Sequence, residues 1–261
     1  MSKFTSLFFC AVVAWVLVAL LYSGCTKYKA ATSTAQPITH ETWTSLLQKH
    51  VWADGRVNYP GFIADEKELS RYLTLLQTHH PNPTHWTREE QMAYWINAYN
   101  AFTIALIIKN YPIQSIKNIT RGPNIPFVNS PWDIQFITIE NRLYDLNAIE
   151  HQILRGYFKD PRIHFAINCA SKSCPNLMPQ AFTAQNLNAQ LDSAARFFLA
   201  DTTKNKITPH AVQLSKIFSW FKADFTRHHS SLIGYLNQYA PITINPSASV
   251  SYMEYNWQLN E

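Results

Sequence analysis

From Thr87 to Asn110 the chain sets out one long helix with almost no polar face. Thr87 followed three residues later by Glu90 forms a capping box, in which hydroxyl and carboxylate satisfy each other's backbone amides. The run Met92-Ala-Tyr-Trp-Ile-Asn-Ala-Tyr-Asn-Ala-Phe-Thr-Ile-Ala-Leu-Ile-Ile108 follows. Trp95, Tyr99, Phe102 and Leu106 fall on one side; Ala93, Ile96, Asn100, Thr103 and Ile107 fall on another. A helix that is apolar nearly all round is buried, so the rest of the chain must pack around it. Pro112 stops it. The spacing predicts a buried central helix over about 87–110. Two amides, Asn97 and Asn100, lie inside it. Buried amides must be hydrogen-bonded, and most side-chain bonds of this kind go to backbone. The pair is expected to tie down loops; the alternative is that one of them, Asn97, orients a catalytic group.

Flanking elements follow from periodicity and turn residues. Glu41–His50 reads as a short amphipathic helix, Asp54-Gly55 as a turn between Val51-Trp52 and Val57-Tyr59, and Pro60–Gln77 as one helix. Ile134–Ile139 and Arg142–Asp145 read as a strand pair. Asn147 caps a helix that carries Glu150 and His151. Ile163–Cys169 reads as a buried strand, Ala184–Leu199 as a helix, and Val212–Leu214 as a strand leading to a helix at Lys216–Phe225. A helix at Ser230–Tyr239 precedes extended segments at Ile242–Ile244 and Val250–Leu259. Helices outnumber strands, so the class is α+β: a single domain over 41–261, with several flanking helices and a small, mainly antiparallel sheet.

The N-terminus reads as an export signal over 1–24. Phe4 to Tyr22 is almost wholly apolar behind Lys3, and the run ends in Ser23-Gly24-Cys25. Small residues before a Cys resemble a lipobox, which makes Cys25 the lipidation site and the first mature residue; Tyr22 stands where such signals usually have Leu. The alternative is an uncleaved anchor, since a spanning helix needs ~20 apolar residues. Residues 25–40 read as a flexible tether. Both alternatives give a chain exported to the cell envelope, with the membrane as a partner through the N-terminus. Nucleotide binding is excluded by the absence of GxGxxG and GxxxxGK[ST] in a chain with only 6 Gly. A formal charge of +5 from scattered basic residues offers no stripe for nucleic acid. No cofactor is implied.

Chemistry-bearing residues gather in Pro161–Asn176, which holds His164, Cys169, Ser171, Lys172 and Cys174. If residues 163–169 form a strand, His164, Ala166 and Asn168 share one face while Phe165, Ile167 and Cys169 share the other. Cys174, beyond a four-residue loop, is then the easier partner for His164, with His151 as a second candidate base. Cys10 and Cys25 belong to the leader, so Cys169 and Cys174 are the two thiols of the domain, and export favours their pairing as a disulfide. One reading is a binding or scaffolding module of the envelope, its partner an envelope protein, a peptide or a glycan met by Trp-rich surface. The other is a thiol-dependent hydrolase or acyl-transfer enzyme. It would use Cys174 or Cys169 as nucleophile, His164 or His151 as base, and Glu150 or Asn97 to orient the base. A Ser171/Lys172 pair is a weaker variant. His151, His164 and the thiols fit no zinc spacing, so no metal is expected.

Several of these stretches carry a family resemblance. Tyr94-Trp-Ile-Asn-Ala-Tyr-Asn-Ala-Phe-Thr103, Ile149-Glu-His-Gln-Ile-Leu-Arg155, Arg162-Ile-His-Phe-Ala166 and Cys169-Ala-Ser-Lys-Ser-Cys-Pro175 resemble the domain of unknown function 547 family. So do Ser215-Lys-Ile-Phe-Ser-Trp220 with Asp224-Phe225, and Tyr255-Asn-Trp-Gln-Leu-Asn260, where the family more often has Asp for Asn256. The resemblance runs from about His40 to Asn260. It implies no established activity, and it agrees with export, since bacterial members commonly carry such signals.

Overall fold

The computed structural model describes residues 33–120 and 130–261, so the expected leader, Cys25 and the first part of the tether lie outside the described residues. Three helices precede the central one: α1 (Glu41–His50), α2 (Tyr59–Ala64) and α3 (Glu66–Gln77). The expected single helix over 60–77 is broken at Asp65 (φ −103°, ψ 25°). The Asp65 carboxylate is instead taken by Lys49 at 2.6 Å and His50 at 2.7 Å, which ties α1 to the break. The Asp54-Gly55 turn forms as expected, with Gly55 at φ +81° and Val51 bridged to Val57.

Helix α4 (Arg88–Asn110) carries the predicted capping box. The Thr87 hydroxyl accepts from the Glu90 amide at 3.2 Å, and the Thr87 amide donates to the Glu90 carboxylate at 2.7 Å. Every residue from Gln91 to Ile104 is buried. Both asparagines bond to backbone in each direction. Asn97 donates to the Phe182 carbonyl (2.8 Å) and accepts from the Phe182 amide (3.0 Å). Asn100 donates to the Ala166 carbonyl (2.9 Å) and accepts from the Asn168 amide (2.9 Å). Residues 33–40, the last part of the expected tether, are held against the domain. The Ala35 carbonyl accepts from Asn82 (3.0 Å) and from the Trp86 indole (2.8 Å), and His40 bonds the Tyr72 hydroxyl (2.7 Å).

The hairpin β1 (Ile137–Ile139)/β2 (Arg142–Tyr144) is antiparallel, with Ile137 opposite Tyr144. Its two-residue turn, Glu140-Asn141, has positive φ at both positions (43° and 66°), the hand that matches strand twist. Helix α5 (Ala148–Phe158) is wound as a π-helix. Its first free amide, Ala148, is taken by the Asp145 carboxylate (2.6 Å) and not by Asn147, whose side chain reaches Asp133 instead.

The expected strand over 163–169 does not form. Pro161–Phe165 is a 3₁₀ turn followed by irregular chain. Asp160 accepts from the Arg162 amide (2.9 Å), and Pro161 occupies the first helical position. An acidic cap followed by proline is a helix-start signal, and here it outweighs the apolar run. The alternation that separated His164 from Cys169 therefore does not apply.

Beyond α6 (Leu187–Ala200) a small sheet joins β3 (Lys206–Ile207) antiparallel to β4 (Ala211–Leu214), which pairs parallel with β5 (Ser249–Tyr252). The expected helix 216–225 is two short ones, α7 (Ile217–Trp220) and α8 (Lys222–Phe225), bent at Phe221 (φ −111°, ψ 24°). The expected helix 230–239 shortens to α9 (Leu232–Leu236). The class is α+β as expected, its core in two clusters. The larger surrounds α4; the smaller joins α6 to α9 through Phe198, Phe218, Phe225 and Tyr235, with Phe165 planted in it. Among the described residues no helix is long and apolar enough to cross a membrane.

Replacing Trp95 or Phe102 by Ala leaves a cavity beside α4 and is expected to cost ~3–5 kcal/mol of stability. Urea unfolding reads this directly, and a wild-type midpoint in both variants would contradict the central packing described.

Candidate functional site

The loop after the 3₁₀ turn is braced residue by residue. Asn100 fixes the backbone on both sides of Ile167. Asn168 then accepts from the Ala170 amide (2.7 Å) and donates to the Pro175 carbonyl (2.7 Å), closing the loop across its base. This turn holds Ala170 at φ +60°. The C-terminal segment lies along the other edge. Ser171 bridges to Leu259, the Lys172 amide donates to Gln258 (2.9 Å), and the Asn256 amide donates to the Ser173 hydroxyl (2.9 Å).

Cys169 and Cys174 meet as a disulfide across this loop, their Cα atoms 6.3 Å apart, as expected for the pair. The two sulfurs are not equivalent. Both cysteines line one cleft, but Cys174 is 3% exposed whereas Cys169 is partly exposed. The Cys174 sulfur faces three donors: the Cys169 amide (3.0 Å), the Ser171 hydroxyl (3.2 Å) and the Tyr255 hydroxyl (3.2 Å). Cys169 Sγ lies 3.4 Å from the Tyr255 oxygen and 3.6 Å from that of Ser171. None of these partners is a histidine. Closing so short a loop, with a sequence separation of 5, stabilises the fold by only about 2 kcal/mol on chain-entropy grounds.

Above the loop opens a cleft of about 210 Å³. Trp132, Trp220, Phe221, Tyr255 and Trp257 form its walls. Glu150, His151 and His164 reach it from α5 and the 3₁₀ turn, so the structure brings Cys169, Cys174, Glu150, His151 and His164 to one place, while Ser171 and Lys172 line a neighbouring pocket. Asn97 sits elsewhere, on the Phe182 backbone.

Charge is distributed unevenly among these groups. His164 stacks on Phe221 (centroids 4.1 Å apart, 15°) and donates from Nε2 to Asp224 at 2.9 Å. Burial lowers the His164 pKa, partly opposed by Asp224, which leaves a neutral ring. Burial alone would push the Asp224 carboxyl up. Hydrogen bonds from His164 and from Arg155 (2.6 Å) outweigh that and hold it well below the usual carboxylate range. Partial burial, then the Arg155 charge, lowers His151 to about 4; the Arg155 guanidinium donates to its Nδ1 at 3.0 Å. Glu150 behaves oppositely. It is 8% exposed and, among the described residues, accepts a long bond from the Tyr99 hydroxyl (3.3 Å), with His151 Nδ1 3.8 Å from its other oxygen, so desolvation raises its carboxyl to about 7. At neutral pH the cleft therefore holds a carboxyl able to give or take a proton, beside neutral imidazoles and a bonded sulfur pair.

Asp224, Tyr255 and the aromatic walls escaped the sequence-based site. Asp224 and Tyr255 lie in stretches that carry the family resemblance, but no spacing links them to His164 or to the cysteines.

Residues 83–199 match the family model described as "Protein of unknown function, DUF547", which supports that family over this stretch. The matched region contains Glu150, His151, His164 and both cysteines, and ends before Asp224 and Tyr255. No curated protein and no solved structure matches the chain.

The raised Glu150 pKa predicts a signed pH dependence. From 4.5, the ordinary value of this carboxyl, up to about 7, the folded chain holds a proton that the unfolded chain releases, so stability falls as pH rises. Glu150→Gln removes this loss. Its stability relative to wild type is expected to rise across that window by up to about 3 kcal/mol, from pH ~4 to a plateau above pH ~7. Urea unfolding of both proteins at several pH values checks this, and a pH-independent difference would refute it.

Proposed function

We propose that this chain is an exported, membrane-anchored protein of the cell envelope whose aromatic cleft binds a glycan. One observation carries the binding reading: three rings form a platform beside a buried carboxyl. Trp220 and Trp257 lie nearly parallel (5.9 Å, 24°), and Tyr255 sits against both, at 4.8 Å from Trp220 and 4.5 Å from Trp257. Trp132 packs edge-on to Trp257 (5.5 Å), and the Lys117 ammonium lies over that ring at 4.3 Å. Trp220 remains 47% exposed.

A sugar ring suits such a surface. Its C–H face is apolar and carries positive hydrogens, which meet the negative face of an aromatic ring. Its hydroxyls need a few convergent polar groups in an otherwise apolar cleft, and Glu150 and Asn147 line this one. The bonded cysteine pair, and the absence of a histidine among the partners of either sulfur in the described residues, favour binding over thiol-dependent hydrolysis, which needs a free thiolate beside a base. Envelope location rests on the apolar leader and on Ser23-Gly24-Cys25.

Titration with a soluble N-acetylglucosamine oligosaccharide, followed by tryptophan fluorescence, tests the cleft. Saturable binding is expected, weakened about five- to tenfold in Trp220→Ala and Trp257→Ala if each ring contributes ~1–1.5 kcal/mol. A proline-rich peptide that binds while the sugar does not would replace the glycan reading. Cys25→Ser is expected to abolish incorporation of labelled palmitate and to leave the leader uncleaved; unchanged labelling would overturn the lipoprotein assignment.

A further inference from the structure

We infer that Cys169–Cys174 is an exchangeable disulfide that oxidises a dithiol, with the incoming thiolate entering from the cleft at Cys169. This goes beyond glycan binding and does not depend on it.

Three features argue for exchange over a purely structural staple. First, access is unequal. Exchange rates depend on which sulfur can be attacked, and although both cysteines line the open cleft, Cys169 is partly exposed there while Cys174 is only 3% exposed. Second, the buried sulfur is equipped to leave. Attack at Cys169 expels Cys174 as a thiolate, and a stabilised thiolate is a faster leaving group. The Cys169 amide and the Ser171 and Tyr255 hydroxyls already surround that atom at 3.0–3.2 Å. Third, the loop keeps its shape without the bond. Asn100, Asn168 and the 256–259 segment brace it through contacts in which neither sulfur takes part.

The donor's first thiolate forms a bond to Cys169 Sγ as the Cys169–Cys174 bond breaks, and the electron pair stays on Cys174. The donor's second thiol loses its proton and attacks the donor sulfur of this mixed disulfide. The donor closes its own disulfide, and Cys169 departs as a thiolate. The two protons shed by the donor balance those taken up by Cys169 and Cys174. The donor is oxidised by two electrons, and the protein disulfide is reduced by two.

The test uses the full chain. Wild type is incubated natively with dithiothreitol or with a reduced Cys-x-x-Cys peptide. Free thiols are then counted by alkylation and peptide mass mapping, which separates Cys169 and Cys174 from Cys10 and Cys25. Complete reduction with the near-ultraviolet circular dichroism preserved is expected, and the faster donor shows whether a small or a peptide dithiol is favoured. A pair that opens only once the protein is unfolded would overturn the inference. Tyr255→Phe, which keeps the ring, is expected to slow native reduction about threefold or more by removing one donor from the leaving sulfur. In oxidised glutathione, Cys174→Ser should form an adduct at Cys169 about tenfold or more faster than Cys169→Ser does at Cys174. Equal or reversed rates, in variants with wild-type circular dichroism, would place the entry point elsewhere and refute the proposal.

Discussion

The side chain of Asn100 is a two-ended clamp on which the site depends. A helix buried on every side gives an amide no water to bond, so it must find protein partners. Asn100 finds them in the Ala166 carbonyl and the Asn168 amide, on either side of Ile167. Asn97, one turn earlier, does the same for both backbone groups of Phe182. The stretch between them, including the whole cysteine loop, is thus pinned at both ends to the buried helix α4. Each clamp is specific, because an orphaned buried partner costs about 1–3 kcal/mol.

A second constraint sorts the charges. Arg155 is placed by α5 so that it bonds the Asp224 carboxylate and the His151 ring together. This guanidinium joins the His164 hydrogen bond in keeping the carboxylate ionised, and adds to burial in keeping the His151 imidazole neutral. Glu150, five residues earlier on the same helix, is bonded by the Tyr99 hydroxyl, and burial outweighs the more distant Arg155 charge in its titration. Two carboxyls, Glu150 at the cleft and Asp224 behind His164, are pushed apart in pKa by their surroundings, which divides a fixed charge from a titrating one. Stacking of His164 on Phe221 completes the separation by sealing the Asp224 side behind an aromatic ring.

What the sequence could reveal was whatever local rules decide. The capping box, the burial of α4 and the bonding of both asparagines to backbone follow from side-chain period and from the need to satisfy amides. The Ile137–Tyr144 hairpin and the Gly55 turn were legible for the same reason. Residues 163–169 were not, because a short apolar run is equally compatible with a buried strand and with a buried helical turn. The Asp160-Pro161 start decided the matter, and the argument from strand alternation went with it. Asp65 and Phe221 broke helices that periodicity would have carried through, since the tertiary partners of Asp65, and the ring stack between Phe221 and His164, are invisible in a local window. The aromatic walls could not be read at all. Trp132, Trp220 and Trp257 are distant in sequence, and only packing brings them together.

The C-terminal segment shows how the cleft and the sulfur pair came to share one place. Tyr255 and Trp257 are half-buried, while Asn256 and Gln258, each following one of them, are exposed, the alternation of extended chain. The backbone of the even-numbered residues bonds the cysteine loop at Ser173 and Lys172. The odd-numbered side chains turn to the cleft, where Trp257 joins the ring platform and Tyr255 joins it with its face while reaching both sulfurs with its hydroxyl. Residues 255–258 therefore form a seam with one edge on the loop and one on the cleft. A ligand that shifts the Tyr255 ring shifts the donor to Cys174 with it, because a single rigid phenol carries both contacts.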